Sequence, residues 1–138
     1  MEKNIITTQI ILLRPVEVVW EYFTQPEHVV NWNFASNDWH CPEASNDLRE
    51  GGKFSYIMAA KDGSFSFDFW GIYTKIIENK TIEIKLGDDR KVWIEFSENN
   101  QETIIVQRFE AETQNSPELQ QTGWQMILEN FKKYVESR

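Results

Sequence analysis

The chain has 138 residues, of which 41% are hydrophobic and 14% aromatic, and it carries a formal net charge of −8. That length is one domain's worth, read as a single domain over 1–138, and it suffices to bury a sizeable core. The acidic balance repels phosphate, so nucleic acid is excluded as a partner, and anionic membrane surfaces are disfavoured.

Taken in chain order, "NIITTQIILL" (Asn4–Leu13) is short and β-branched and predicts a strand. Pro15 fits the first position of a helix, "PVEVVWEYF", on which Val16, Val19, Trp20 and Phe23 share one side. "TQPEHVVNW" restarts a short helix with Pro26 in its first turn and His28 as an exposed member. From Asn33 to Asp47 the composition is that of a loop. Trp32, Phe34 and Trp39 cluster in and beside it, and a loop so dense in rings either rims a site or plugs the open end of a sheet. Gly51 and Gly52 mark a turn or bulge ahead of a strand, not a helix, so they form no phosphate cradle.

Five strand-like runs follow: "KFSYIMAA", "SFSFDFWGIYTKII", "TIEIKL", "RKVWIEFS" and "ETIIVQRFEAE". Gly, Asn or Asp stands at each junction, which predicts an antiparallel meander. In the second run Phe65, Phe67 and Phe69 point one way and Ser64, Ser66 and Asp68 the other. Trp70 then puts a ring on the polar side, and Gly71 beside it suggests a bulge where the alternation changes phase.

"SPELQQTGWQMILENFKKYVESR" closes the chain. Ser116 is a good N-cap, Pro117 a good first residue and Glu118 favourable at the positive end of about 20 helical residues. Leu119, Gly123, Trp124, Met126, Ile127, Leu128, Phe131, Tyr134 and Val135 occupy an arc of roughly 200°, which suits a curved sheet wrapped around the helix. Gly123 in mid-helix costs about 1 kcal/mol against Ala, so it is expected to relieve crowding. Polar Gln120 and Asn130 on or near that arc need partners. Strand, two helices, meander and long helix make an α+β fold, with the long helix covering the concave side of an antiparallel sheet.

Chemistry-bearing residues are sparse. His40 and Cys41 are neighbours, but with two His and one Cys in the chain no metal set is matched. Nor do neighbours in a strand make a nucleophile pair. Asp68 would be a candidate acid or base if it faced a cavity, with His40 across from it; the alternation favours its facing water. No dinucleotide, P-loop or nucleophile-elbow motif occurs, and no cofactor is implied. A lone Cys41 allows no internal disulfide and fits a reducing cytoplasm. "MEKNIITTQIILLRP" has no signal-peptide layout, and no apolar run spans a bilayer.

The order of elements, together with "PVEVVWEYFTQPEHVVNWN", "DWHCP", "NDLREGGKF", "KDGSFSFDFWGIYTKI", "RKVWIEF" and "GWQMILENFKKYV", resembles the helix-grip fold of the START/Bet v superfamily. Within it the chain is similar to homologues of the activator of the heat-shock chaperone ATPase. The resemblance implies a seven-stranded antiparallel sheet gripping the C-terminal helix around a cavity for a small apolar or aromatic ligand. The candidate walls are Trp32, Phe34, Trp39 and His40 from the ring-rich segment and Tyr56, Met58, Phe67, Asp68, Phe69 and Trp70 from the strands. Gln120, Trp124 and Ile127 complete them from the helix. The same cavity could serve a cyclase or hydrolase, and a chaperone contact is a further expectation; a monomer or weak homodimer is expected. Arg14 and Trp70 depart from the family pattern, Trp70 by narrowing the cavity.

Overall fold

The computed structural model describes residues 4–138. Strand β1 (Ile5–Leu12) leads into helices α1 (Val16–Thr24) and α2 (Pro26–Val29). Strands β2 (Trp39–Asn46), β3 (Lys53–Ala60), β4 (Ser66–Ile77), β5 (Thr81–Leu86), β6 (Lys91–Asn99) and β7 (Glu102–Glu110) follow, then helix α3 (Pro117–Glu136). All seven strands form one sheet in the order β1-β7-β6-β5-β4-β3-β2, every neighbour antiparallel. The chain steps along the sheet from β2 to β7, and β1 closes the far edge. This is the α+β helix-grip architecture that the sequence predicts.

The hairpins use the turn chemistry of their residues. Asn79, Asp89, Asn100 and Gln101 all have positive φ. Asn99 pairs with Glu102, so Asn100 and Gln101 form a two-residue loop with both members left-handed, the twist that suits adjoining strands.

Three sequence readings are corrected. The expected loop between Asn33 and Asp47 contains β2, an edge strand whose register skips between His40 and Glu43. Cys41 and Pro42 form that bulge, and an edge position is where proline is tolerated in a sheet. Next, the bulge of β4 lies at Thr74, between the pairs Tyr73–Ile84 and Lys75–Glu83, and not at Trp70–Gly71. Up to Tyr73 the strand alternates without a phase change, so Phe67, Phe69, Gly71 and Tyr73 face inward and Asp68, Trp70 and Ile72 outward. Gly71 is required because a Cβ there would stand 2.8 Å from Ile84 Cγ2 and 3.0 Å from the Phe54 ring. Finally, a Cβ on Gly123 would meet nothing within 4 Å, so no crowding explains that glycine.

The core lies under α1 and the C-terminal half of α3. Leu12, Val19, Ile105, Phe109, Phe131 and Val135 are sealed from solvent. Trp20 meets Phe96 edge-on at 5.1 Å, and Phe131 sits 4.7 Å from Trp32 and 5.3 Å from Phe23. Truncating Phe131 to Ala would cost about 3–5 kcal/mol.

Helix α3 starts as predicted, with Ser116 Oγ accepting from the Leu119 N–H at 3.1 Å. Its apolar face is narrower than the arc read from the sequence: Leu119 and Met126 are exposed. Its C-terminal end is held by Arg14, which donates to the Glu136 carbonyl at 2.9 Å. The α3 backbone runs closest to β1. Its other flank stands off the sheet, and that gap makes the candidate site.

Candidate functional site

A cavity of about 190 Å³ lies between the inner face of β3–β7 and α3. Inward alternation on the strands supplies Phe54, Tyr56, Met58, Phe67, Phe69 and Tyr73 on one side and Ile82, Ile84, Leu86, Val92 and Ile94 in the middle. From α3, Trp124, Ile127 and Leu128 form the roof. The Trp124 indole stacks on Phe109 at 3.8 Å and 12° and meets Phe69 edge-on at 6.0 Å, bridging β7 and β4 over the void. Phe23 and Trp32, stacked at 5.3 Å, close the end beside α1. Trp32 is pinned by its Nε1–H, which donates to the Tyr22 carbonyl at 3.0 Å. Phe67 both lines the cavity and is 43% exposed, so it stands at the mouth.

No Asp, Glu, Lys, Arg or His side chain lines this wall. Its phenols lie together: Tyr56 neighbours Tyr73, Tyr73 Oη donates to Asn46 Oδ1 at 2.7 Å, and Asn46 Nδ2 donates to the Thr24 carbonyl at 2.5 Å. Burial first, then the neighbouring Tyr73, lifts the Tyr56 phenol well above its ordinary value; burial lifts Tyr73 too. Burial also raises the Cys41 thiol. These three groups are therefore neutral near pH 7 and supply neither a base nor a thiolate. Polar side chains on the wall also include Thr24, whose hydroxyl donates to the Trp20 carbonyl at 2.7 Å, Asn33, whose Nδ2 donates to Met58 Sδ, and Gln107, whose Oε1 accepts from Thr8 Oγ1 at 3.2 Å.

Of the residues singled out in the sequence, Trp32, Tyr56, Met58, Phe67, Phe69, Trp124 and Ile127 line the cavity. The other six lie elsewhere. Trp39 meets Phe65 and Phe67 edge-on at the rim, ring centroids 6.2 Å apart in each case. Phe34 is half-buried in the preceding loop, where its carbonyl and that of Trp32 accept from Asn130. His40 pairs with Ala59 and Asp68 with Ile57, one pleat apart with β3 between them on the outer face. Asp68 accepts there from Ser55 Oγ at 2.6 Å. The two do not meet across a pocket, as an acid–base pair would have to.

Trp70 does not narrow the cavity. It lies on the outer face, covering Gly87, with the Lys53 ammonium 4.7 Å from its ring. Gln120 is buried, but its amide is spent on the loop before α3: it accepts from the Glu112 N–H and donates to the Glu112 and Asn115 carbonyls. Sequence reasoning missed Asn33 and Gln107. The signal for Gln107 was present, since it interrupts the inward apolar series Ile105–Gln107–Phe109 of β7. Among the described residues no helix is long and apolar enough to cross a membrane, and no group of three or more potential metal ligands gathers.

The family profile described as "Activator of Hsp90 ATPase homolog 1-like protein" matches residues 14–136. The solution structure of an AHSA1-like protein from Aeromonas hydrophila superposes with a TM-score of 0.87 at 39% identity, over 96% of this chain and 93% of that one. A protein of Cytophaga hutchinsonii gives 0.83 at 48% identity, over 96% and 92%. One from Chromobacterium violaceum gives 0.85 at 22% identity, over 96% and 98%, and shows the shared fold. No curated protein matches the chain. The seven-stranded grip on α3, the matched profile and two relatives above 30% identity place the chain in the AHSA1-like family.

Proposed function

We propose that the chain, acting as one domain in the cytoplasm, binds a small neutral molecule of apolar or aromatic character in this cavity. The observation that carries the reading is a void walled by rings and branched aliphatics, with no charged side chain on it. A charged guest would lose its hydration there without a partner, whereas a neutral ring gains apolar contact on every side. Size narrows the class further. An apolar cavity of about 150 Å³ accepts benzene, so 190 Å³ takes one substituted ring or a compact pair of fused rings. Sterols and diacyl lipids exceed it, and drug-sized ligands fill roughly 300–1,000 Å³.

The test is an NMR titration with single-ring and fused-ring neutral compounds. The expected result is saturable shifts confined to Phe69, Trp124, Ile127 and their neighbours. No shifts, or shifts spread evenly over the surface, would sink the reading.

A chaperone contact is a second reading, favoured by rings left in water at one end of the sheet, where Phe65 is 58% exposed beside Phe67 and Trp39. Co-purification with the host's Hsp90-type chaperone, lost on Phe65→Ser, supports it; no enrichment ends it.

A further inference from the structure

Gln107 is only 9% exposed and stands on the inner face of β7 between Ile105 and Phe109. The Thr8 hydroxyl, itself buried, donates to its Oε1 at 3.2 Å. Nothing among the described residues accepts from its Nε2. No sealed side-chain nitrogen or oxygen among those residues lacks a partner, so this Nε2 meets open space. The space that Gln107 borders is the cavity. A buried amide with two unused N–H bonds is costly to keep in an apolar wall unless something accepts from it. The other polar end of the cavity, around Tyr73 and Asn46, is separated from it in the sheet by β5 and β6, and there Tyr73 is already bonded to Asn46 and Asn46 to the Thr24 carbonyl.

We infer that Gln107 is the polar anchor of the site, and that the guest is a neutral ring compound carrying a hydrogen-bond acceptor, such as an aryl ketone, ester or ether. This rests on the cavity being a binding site. With Oε1 taken up by the Thr8 hydroxyl, the Nε2 donors are what Gln107 has left to offer a guest, and so the site selects for an acceptor. The Trp124 indole and the Phe69 ring enclose the apolar body of the guest. A site built this way discriminates against the isostere that lacks the acceptor, because that guest leaves the amide unpaired.

Acetophenone and α-methylstyrene form a matched pair, equal in shape and differing by a carbonyl oxygen against a methylene. Both are titrated into nitrogen-labelled wild-type protein and into the double variant Thr8→Val/Gln107→Leu, which removes the buried polar pair together. The expected result is that the Gln107 side-chain amide signals move with the ketone and not with the alkene. The ratio of ketone to alkene affinity should then fall about tenfold in the variant. If both guests bind the wild type, the amide signals stay still and the variant keeps the ratio, the anchor is wrong while the cavity reading stands. If neither guest binds the wild type, the cavity reading fails and takes the anchor with it. Should the double variant not fold, Gln107→Met and the wild-type amide signals decide the same question.

Discussion

The side-chain amide of Gln125 makes both halves of a β-ladder step with the backbone of Gln9. Its Nε2 donates to the Gln9 carbonyl at 2.9 Å, and its Oε1 accepts from the Gln9 N–H at 3.3 Å. Gln121 Nε2 donates likewise to the Thr7 carbonyl at 3.0 Å, and Glu136 Oε2 accepts from the Leu13 N–H at 2.8 Å. These backbone groups alternate along the edge of β1 that faces away from β7. Helix α3 thus blunts the free edge of the sheet with side chains while its opposite flank roofs the cavity. An exposed edge is a template for pairing with a second chain, so the arrangement guards against association as well as fixing the helix.

Gln125→Ala is therefore expected to lower stability by about 1 kcal/mol. Gln121→Ala/Gln125→Ala should add concentration-dependent self-association. Urea midpoints and light scattering check the two effects; an unchanged midpoint together with a strictly monomeric double variant would mean that water replaces the amides without loss.

Alkaline pH should unfold the protein through Tyr56 and Tyr73. Both phenols are held above their ordinary value of 10.0 by burial in the folded chain. Above about pH 10 the unfolded chain releases these protons and the folded chain keeps them, so stability is complete below that pH and falls as pH rises. The slope is about 1.4 kcal/mol per pH unit for each group. Phenolate absorbance should show Tyr56 and Tyr73 releasing their protons only as the fold is lost, and Tyr56→Phe should flatten the alkaline limb of a pH–stability curve. An alkaline limb that Tyr56→Phe leaves unchanged would contradict this.

Trp70→Ala should cost about 1 kcal/mol through the lost cation–π contact and the uncovered Gly87, and it should leave guest affinity unchanged. Asp68→Asn and His40→Gln should likewise leave binding intact, because both stand on the outer face. A loss of binding in any of the three, in calorimetric titration of folded protein, would place the guest outside the cavity.

Strands β1 and β3–β7 were legible because alternation and turn residues are local properties, but which face of β4 turns inward was not, and Asp68 and Trp70 were counted with Phe67 and Phe69 as wall candidates. Strand β2 was not. Pro42 and the bulge erase its alternation, and it becomes a strand only by pairing with β3. The cavity was legible as a surplus of rings, but two glutamines show where that reading stops. Gln120 was a cavity candidate on the arc of α3, with exposure in the first turn the favoured reading, yet it is buried and its amide is consumed by residues 112–115. Gln107 was not singled out at all, yet it borders the void. Which glutamine has a local partner depends on loop geometry and on a strand 99 positions away in sequence, where Thr8 sits, and neither is written in periodicity.

Gly123 offers the sharpest test of that limit. Mid-helix glycine costs about 1 kcal/mol relative to Ala, mostly in backbone entropy. The sequence reading answered this cost with a close neighbour, but an added Cβ meets open space and the residue has ordinary helical φ. Nothing in the packing therefore opposes Gly123→Ala. The variant should gain about 1 kcal/mol, or about 3 °C in Tm for a chain of this size. Because Gly123 does not line the cavity, guest affinity should stay the same. A gain in Tm with reduced affinity would instead mean that α3 must flex at this glycine to admit the guest past Phe67, and the mouth would then be a moving part rather than a fixed opening.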